Sequence, residues 1–182
     1  MASLVEAGTT PRKETDGGIM FIRTSCFALS LTLVSAAAAS AQPTRIKQFD
    51  AWGVYSYTQD GRKNCYALSV PVEAQPNTVN HGDNFVLVAP QGSGYAPQAI
   101  MGYSLKPGTE VAVRVDDKRF SMLPKDNAAW VKNQSAEPEM VKAMRAGRQM
   151  QVQATSRRGT DTSYSYSLKG VTAALREVQK CN

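Results

Sequence analysis

Chemistry needs groups that hold a proton, a metal or a covalent bond, and this 182-residue chain has few: one histidine, His81, and three cysteines, Cys26, Cys65 and Cys181. His81 stands in the run Asn80-His81-Gly82-Asp83 with no second ligand or nucleophile beside it, so it reads as a solvated turn residue. There is no C-x-x-C pair, and neither Cys65 nor Cys181 has a histidine nearby in sequence to lower its thiol pKa. Acid–base catalysis wants two convergent carboxylates, whereas Asp116 and Asp117 are adjacent and point apart. The glycines Gly92 and Gly94 lack the lysine and the following helix of a phosphate loop. No catalytic residue, cofactor site or metal site is therefore expected.

What the chain does offer is positive charge. Its formal net charge is +6, and Arg114, Lys118, Arg119, Lys142, Arg145, Arg148, Arg157 and Arg158 fall on polar faces of the predicted elements. Such a surface favours acidic partners and also keeps a protein soluble. Nucleic acid is not the expected partner, because no aromatic platforms are interleaved with the basic residues.

The elements that would carry these residues are mostly strands. Residues 49–58 are rich in aromatics and end in the turn Gln59-Asp60-Gly61-Arg62, returning as Cys65 to Val70. Residues 42–47 read as a linker and residues 73–83, rich in Pro, Asn and Gly, as a loop. Further strands are predicted at residues 84–89, 99–105, 110–116, 119–123, 150–154 and 164–168. Val111, Val113 and Val115 share one face of their strand, with Glu110, Arg114 and Asp116 on the other. Residues 125–130 give no clear signal. Pro138 and Gly147 bracket a short helix with Met140, Val141 and Met144 as its apolar stripe. A terminal helix over residues 171–178 turns Ala174, Leu175 and Val178 inward. Hairpins at such short spacing predict a mainly β fold, an antiparallel β-sandwich or barrel-like domain with one short helix before the last hairpin and a short C-terminal helix.

Compartment follows from the N-terminus. From Met20 the chain reads as a secretory signal peptide: Arg23, an apolar run over residues 26–39, and Ala39-Ser40-Ala41 as the cleavage site. Cys26 opens the apolar run, whereas a lipid-attachment cysteine follows it. Residues 1–19 read as an over-called extension, 20–41 as the signal peptide and 42–182 as a single domain with no membrane-spanning segment. The first 41 residues carry as many acidic as basic side chains, so the mature domain keeps the charge of +6. Cys65 and Cys181 alone remain after cleavage, and in an oxidising compartment an even pair reads as one disulfide.

The run Ser156-Arg157-Arg158-Gly159-Thr160, then Tyr166-Ser167-Leu168-Lys169-Gly170 and Ala173-Ala174-Leu175, resembles the C-terminal signature of the invasion-associated locus B family. Trp52, Cys65, Gly102-Tyr103 before Lys106-Pro107-Gly108, and the helix before Met150 follow the same order, so the resemblance spans about residues 46–181. It implies a small exported protein of Gram-negative alphaproteobacteria, periplasmic or envelope-associated. For some pathogenic members it also implies a part in host-cell invasion, and it implies no enzymatic activity. Members with that part usually carry additional cysteines, one in the first strand and a close pair in the middle. Here Val54 and Tyr55 stand in the first strand and residues 126–131 hold no cysteine, a departure that bears on the invasion role and leaves the envelope assignment intact.

The leading expectation is an exported, non-catalytic binding module whose partner is an anionic envelope component or a host-surface protein. Its candidate interaction surface is Arg114, Lys118, Arg119, Arg145, Arg148, Arg157 and Arg158. The competing expectation is a small periplasmic hydrolase or inhibitor, which a deep pocket with paired carboxylates would favour.

Overall fold

Alternation of apolar and polar residues sets the sheet. The structure, a computed structural model, describes residues 42–181; the predicted signal peptide (20–41) and extension (1–19) lie outside the described residues. The strands are β1 (Thr44–Phe49), β2 (Trp52–Gln59), β3 (Arg62–Ser69), β4 (Glu73–Gln75), β5 (Phe85–Gln91), β6 (Gly94–Ile100), β7 (Val111–Val115), β8 (Lys118–Lys125), β9 (Ala128–Val131), β10 (Gln149–Thr155) and β11 (Asp161–Ser167). A 3₁₀ turn (Gln134–Ala136) leads into helix α1 (Glu137–Ala146), and helix α2 (Val171–Gln179) ends the fold. In β7 the three valines are buried and Ala112 and Arg114 exposed, as alternation predicts.

All eleven strands join one antiparallel sheet in the order β1-β2-β3-β5-β6-β9-β8-β7-β10-β11-β4. Three residues, 70–72, separate β3 from β4, yet β4 pairs with β11 at the far edge. Three residues span only about 10–14 Å. The sheet therefore curls until its two ends face each other, a sandwich-like arrangement with β9 joining the halves through β6 and β8. At the meeting corner Trp52 Nε1 donates to the Ser167 carbonyl (2.9 Å) and the Ala51 N–H to the Lys169 carbonyl (3.2 Å). Gly170 sits there at φ 94, and a Cβ on it would lie 2.0 Å from the Phe49 carbonyl oxygen. Only glycine fits this corner.

The interior is a single cluster uniting Trp52, Val54, Val86 and Val88 from one half with Val113, Met150, Val152, Tyr164 and Tyr166 from the other. Both helices pack on it. Pro138 opens α1 and the Gly147 N–H bonds the Ala143 carbonyl, so the predicted bracketing is found, with Met140, Val141 and Met144 buried. Helix α2 buries Ala174, Leu175 and Val178 together with Val171. It lays Cys181 against the inner side of β3, where the Cys65–Cys181 disulfide closes with 6.0 Å between Cα atoms.

Four boundaries differ from expectation. The predicted linker at 42–47 is mostly β1; the chain turns at Asp50, which takes φ 47, rather than running straight from Phe49 into the next strand. Aspartate tolerates that left-handed conformation, and the other non-glycine residues with positive φ are also aspartates: Asp60, Asp116 and Asp126. The predicted loop at 73–83 contains β4. β6 begins at Gly94 instead of Ala99, and residues 101–105 leave the sheet because the Met101 and Leu105 N–H groups bond to Asn127 and Asp126 carbonyls. The unassigned residues 125–130 hold most of β9.

Candidate functional site

The seven basic residues of the predicted surface are all exposed, and the fold distributes them over several places. Arg114 and Arg119 are directly opposite in the β7–β8 pairing, on the outer face. With Phe120, Gln151 and Gln153 they line a hollow of about 480 Å³, and the Arg114 guanidinium donates to Gln151 Oε1 (3.2 Å). Lys118 begins β8 and lies 3.6 Å from Glu139 on α1. Arg148 precedes β10, where its N–H and that of Gln149 are held by the Asp116 carboxylate (3.1 and 3.2 Å). Arg145 leaves the last turn of α1 and lies over the Tyr95 ring, 5.3 Å from its centre. Arg157 and Arg158 sit in the turn at the other end of β10, about 20 Å away along a seven-residue strand. The first four cluster near the β7–β8 hairpin; the last two stand apart from them.

Beside Arg157 and Arg158 lies a group that sequence reasoning missed. His81 is half-buried, not solvated as predicted. Its Nδ1 is 2.8 Å from Tyr164 Oη, its Nε2 is 3.0 Å from the Pro76 carbonyl, and its ring stands edge-on to Tyr164. The carbonyl can only accept, so Nε2 carries a proton and donates to it. Tyr164 Oη also lies 3.3 Å from Tyr103 Oη; Tyr103 Oη is 2.6 Å from Thr162 Oγ1, which donates to the Ala154 carbonyl (3.0 Å). Thr162 has spent its one proton on Ala154, so Tyr103 donates to Thr162. The Tyr164 hydroxyl has one proton, for His81 Nδ1 or for Tyr103 Oη. Burial, then the bond to Tyr103, pushes the Tyr164 phenol up.

Asn84 fixes this arrangement. Buried at 5% exposure, its side-chain N–H₂ donates to the His81 and Gly82 carbonyls, and its Oδ1 accepts from the Gly102 N–H (3.1 Å). The loops before β5 and after β6 thereby press backbone on backbone. A Cβ at Gly102 would lie 2.5 Å from the His81 carbonyl oxygen and the Asp83 nitrogen. Between these loops and the β10–β11 turn opens a cleft of about 530 Å³, lined among others by Asn80, His81, Tyr103, Ser104, Arg157 and Arg158. The signal available in the sequence was the strand Tyr164-Ser165-Tyr166: a buried phenol needs a partner, and His81 is among the few candidates.

Both imidazole nitrogens are engaged within the protein, so the cluster holds a wall of the cleft in place. Among the described residues no group of three or more His, Cys, Asp or Glu could hold a metal ion. No described helix is long and apolar enough to cross a membrane.

Comparison with known proteins bears on the whole domain. No curated protein matches the chain significantly. A solved structure, that of invasion associated protein B from Bartonella henselae, shares the fold with a TM-score of 0.55 and 17% identity over 74% of this chain and 94% of that one. The family model described as Invasion associated locus B (IalB) protein matches residues 52–179, from Trp52 at the closing corner to the end of α2. The chain belongs to the invasion associated locus B family.

Proposed function

We propose that the protein is an exported, non-catalytic member of this family that works in the cell envelope by binding an anionic envelope component through its basic surface. The observation that carries this is a charge imbalance. Of the seven predicted basic residues, Lys118 alone has its side-chain cation within 4 Å of a carboxylate among the described residues. Exposed cations without internal partners are available to lipid phosphates or acidic polysaccharide, and they raise the rate and selectivity of encounter with such partners. Family membership and the disulfide support the location, since such bonds persist in oxidising compartments.

The test is sedimentation of the protein with outer-membrane vesicles at low and high salt. Association at low salt that falls steeply with added salt, and weakens in the Arg114→Gln/Arg119→Gln variant, is the expected result. Absence of salt-sensitive association removes the reading, and salt-insensitive capture of a host-surface protein instead would replace the anionic partner with a proteinaceous one.

A further inference from the structure

We infer that the cleft between His81, Tyr103 and the Arg157-Arg158 turn is a binding site for a phosphomonoester group. The inference rests on the anion-binding reading and adds to the Arg114–Arg119 face a second, enclosed place.

Three observations carry it. The turn is stiff before any ligand arrives: the Ser156 N–H donates to the Thr160 carbonyl (2.8 Å) and the Thr160 N–H to Ser156 Oγ (3.0 Å). The Gly159 N–H bonds the Ser156 carbonyl and the Arg157 N–H ties the turn to Ser104 (both 2.8 Å). Two adjacent guanidinium groups are thus mounted on a backbone that need not be ordered on binding.

Charge is the second observation. No carboxylate lines the cleft, and none lies within 4 Å of Arg157 or Arg158 among the described residues. The neighbouring hollow shares Thr162 but is lined by Glu110 and Asp161 with no arginine or lysine. The two sides of Thr162 are therefore electrically opposite, and the one holding His81 suits an anion. Two unpaired guanidinium forks match a doubly charged, multidentate oxyanion better than a single carboxylate.

The third is the remainder of the lining. Asn80 spends its Oδ1 on the Gly82 N–H (2.9 Å), which leaves its amide N–H₂ for a ligand, and the Ser104 hydroxyl adds a further donor. Val79 and the Tyr103 ring supply apolar wall. A cleft of about 530 Å³ is the size that holds a small molecule, so the phosphate is expected on a sugar-sized carrier, free or as a lipid headgroup.

The experiment follows backbone amide shifts of the full-length chain titrated with glucose 1-phosphate, with glucose as control. Saturable shifts at Asn80, Ser104 and residues 157–159, absent with glucose, are expected. Arg157→Gln/Arg158→Gln should weaken binding about tenfold or more, while Lys63→Gln, an exposed cation outside the cleft, leaves it unchanged. Thermal melting confirms that each variant is folded, and Asn80→Ala provides a second, single-site reduction in affinity. Vesicles carrying phosphatidic acid, a monoester, against phosphatidylglycerol, a diester, assign the source: preference for the former that depends on Arg157 and Arg158 marks a lipid headgroup, and binding of the soluble sugar phosphate alone marks a free metabolite. Silent cleft amides, or undiminished binding by Arg157→Gln/Arg158→Gln, overturn the inference. If outer-membrane vesicles still bind in that case, the broader reading stands without the cleft. If the cleft binds glucose 1-phosphate and the vesicles never bind, the surface reading falls alone.

Discussion

Tyr164 and Tyr166 are neighbours on the buried side of β11, both at 0% exposure, and their hydroxyls meet opposite fates. Tyr164 is bonded to His81 and Tyr103, whereas Tyr166 Oη has no partner among the described residues. Burial pushes both phenols above the usual tyrosine range, and in Tyr164 the bond to Tyr103 adds to it. A phenol is neutral when protonated, so the folded state keeps protons that the unfolded chain releases above its pKa of about 10. The contribution is fully present below that pH and is lost as pH rises above it. Unfolding measured by denaturant between pH 8 and 11.5 should show stability falling with pH. Tyr166→Phe should flatten that slope by up to about 1.4 kcal/mol per pH unit and leave stability at pH 7 equal or higher, because no hydrogen bond is removed. Equal slopes for the two proteins would contradict the burial argument. Asn84 is the converse: Asn84→Ala strands two carbonyls and an N–H, and a loss of about 2–3 kcal/mol with broadened His81 signals is expected.

Among the elements, those whose signal is local were legible. β7 and β10 show their alternation in the chain itself, and α1 is bracketed by Pro138 and Gly147. β4 was hidden, being three residues beside prolines whose strand character comes wholly from pairing with β11, some ninety positions later. β1 and β9 were missed for the same reason: polar or short, they become strands through a partner. His81 belongs with them, since its role comes from Tyr164, 83 residues away. The separation of Arg148 from Arg157 was legible, since they flank the predicted 150–154 strand, but the approach of Lys118 to Glu139 and of Arg145 to Tyr95 was not. Gly102 and Gly170 mark where elements touch. Gly170→Ala drives a Cβ into the Phe49 carbonyl and forces alanine to a positive φ, so a loss of at least about 2 kcal/mol is expected from thermal or denaturant unfolding. An alanine variant as stable as the parent would show that the corner is looser than its hydrogen bonds indicate.

At the scale of the molecule, a sheet whose ends meet through two hydrogen bonds and the exposed Lys169–Asp50 ion pair (3.0 Å) is vulnerable at the seam, and the disulfide acts close to it. Cys65 lies on β3 and Cys181 follows α2, which packs across β1, β2, β3 and β5. A bond spanning 116 residues removes chain entropy from the unfolded state worth about 4–5 kcal/mol, a large share of the 5–15 kcal/mol typical of a whole domain. Cys65→Ser/Cys181→Ser should therefore melt on the order of 10–20 °C lower, and a reductant should lower the parent protein to the same point while leaving the variant unmoved. Hydrogen exchange should place the first loss of protection in α2. The same bond ties stability to compartment. Protein exported as proposed should be recovered from the envelope fraction beginning at Gln42 with both sulfurs blocked to alkylation, because only an oxidising space lets the bond persist. Protein retained in the cytosol should carry free thiols and the lower melting point. Recovery of envelope material with two alkylatable cysteines would uphold the location and overturn the claim that the bond ties stability to compartment.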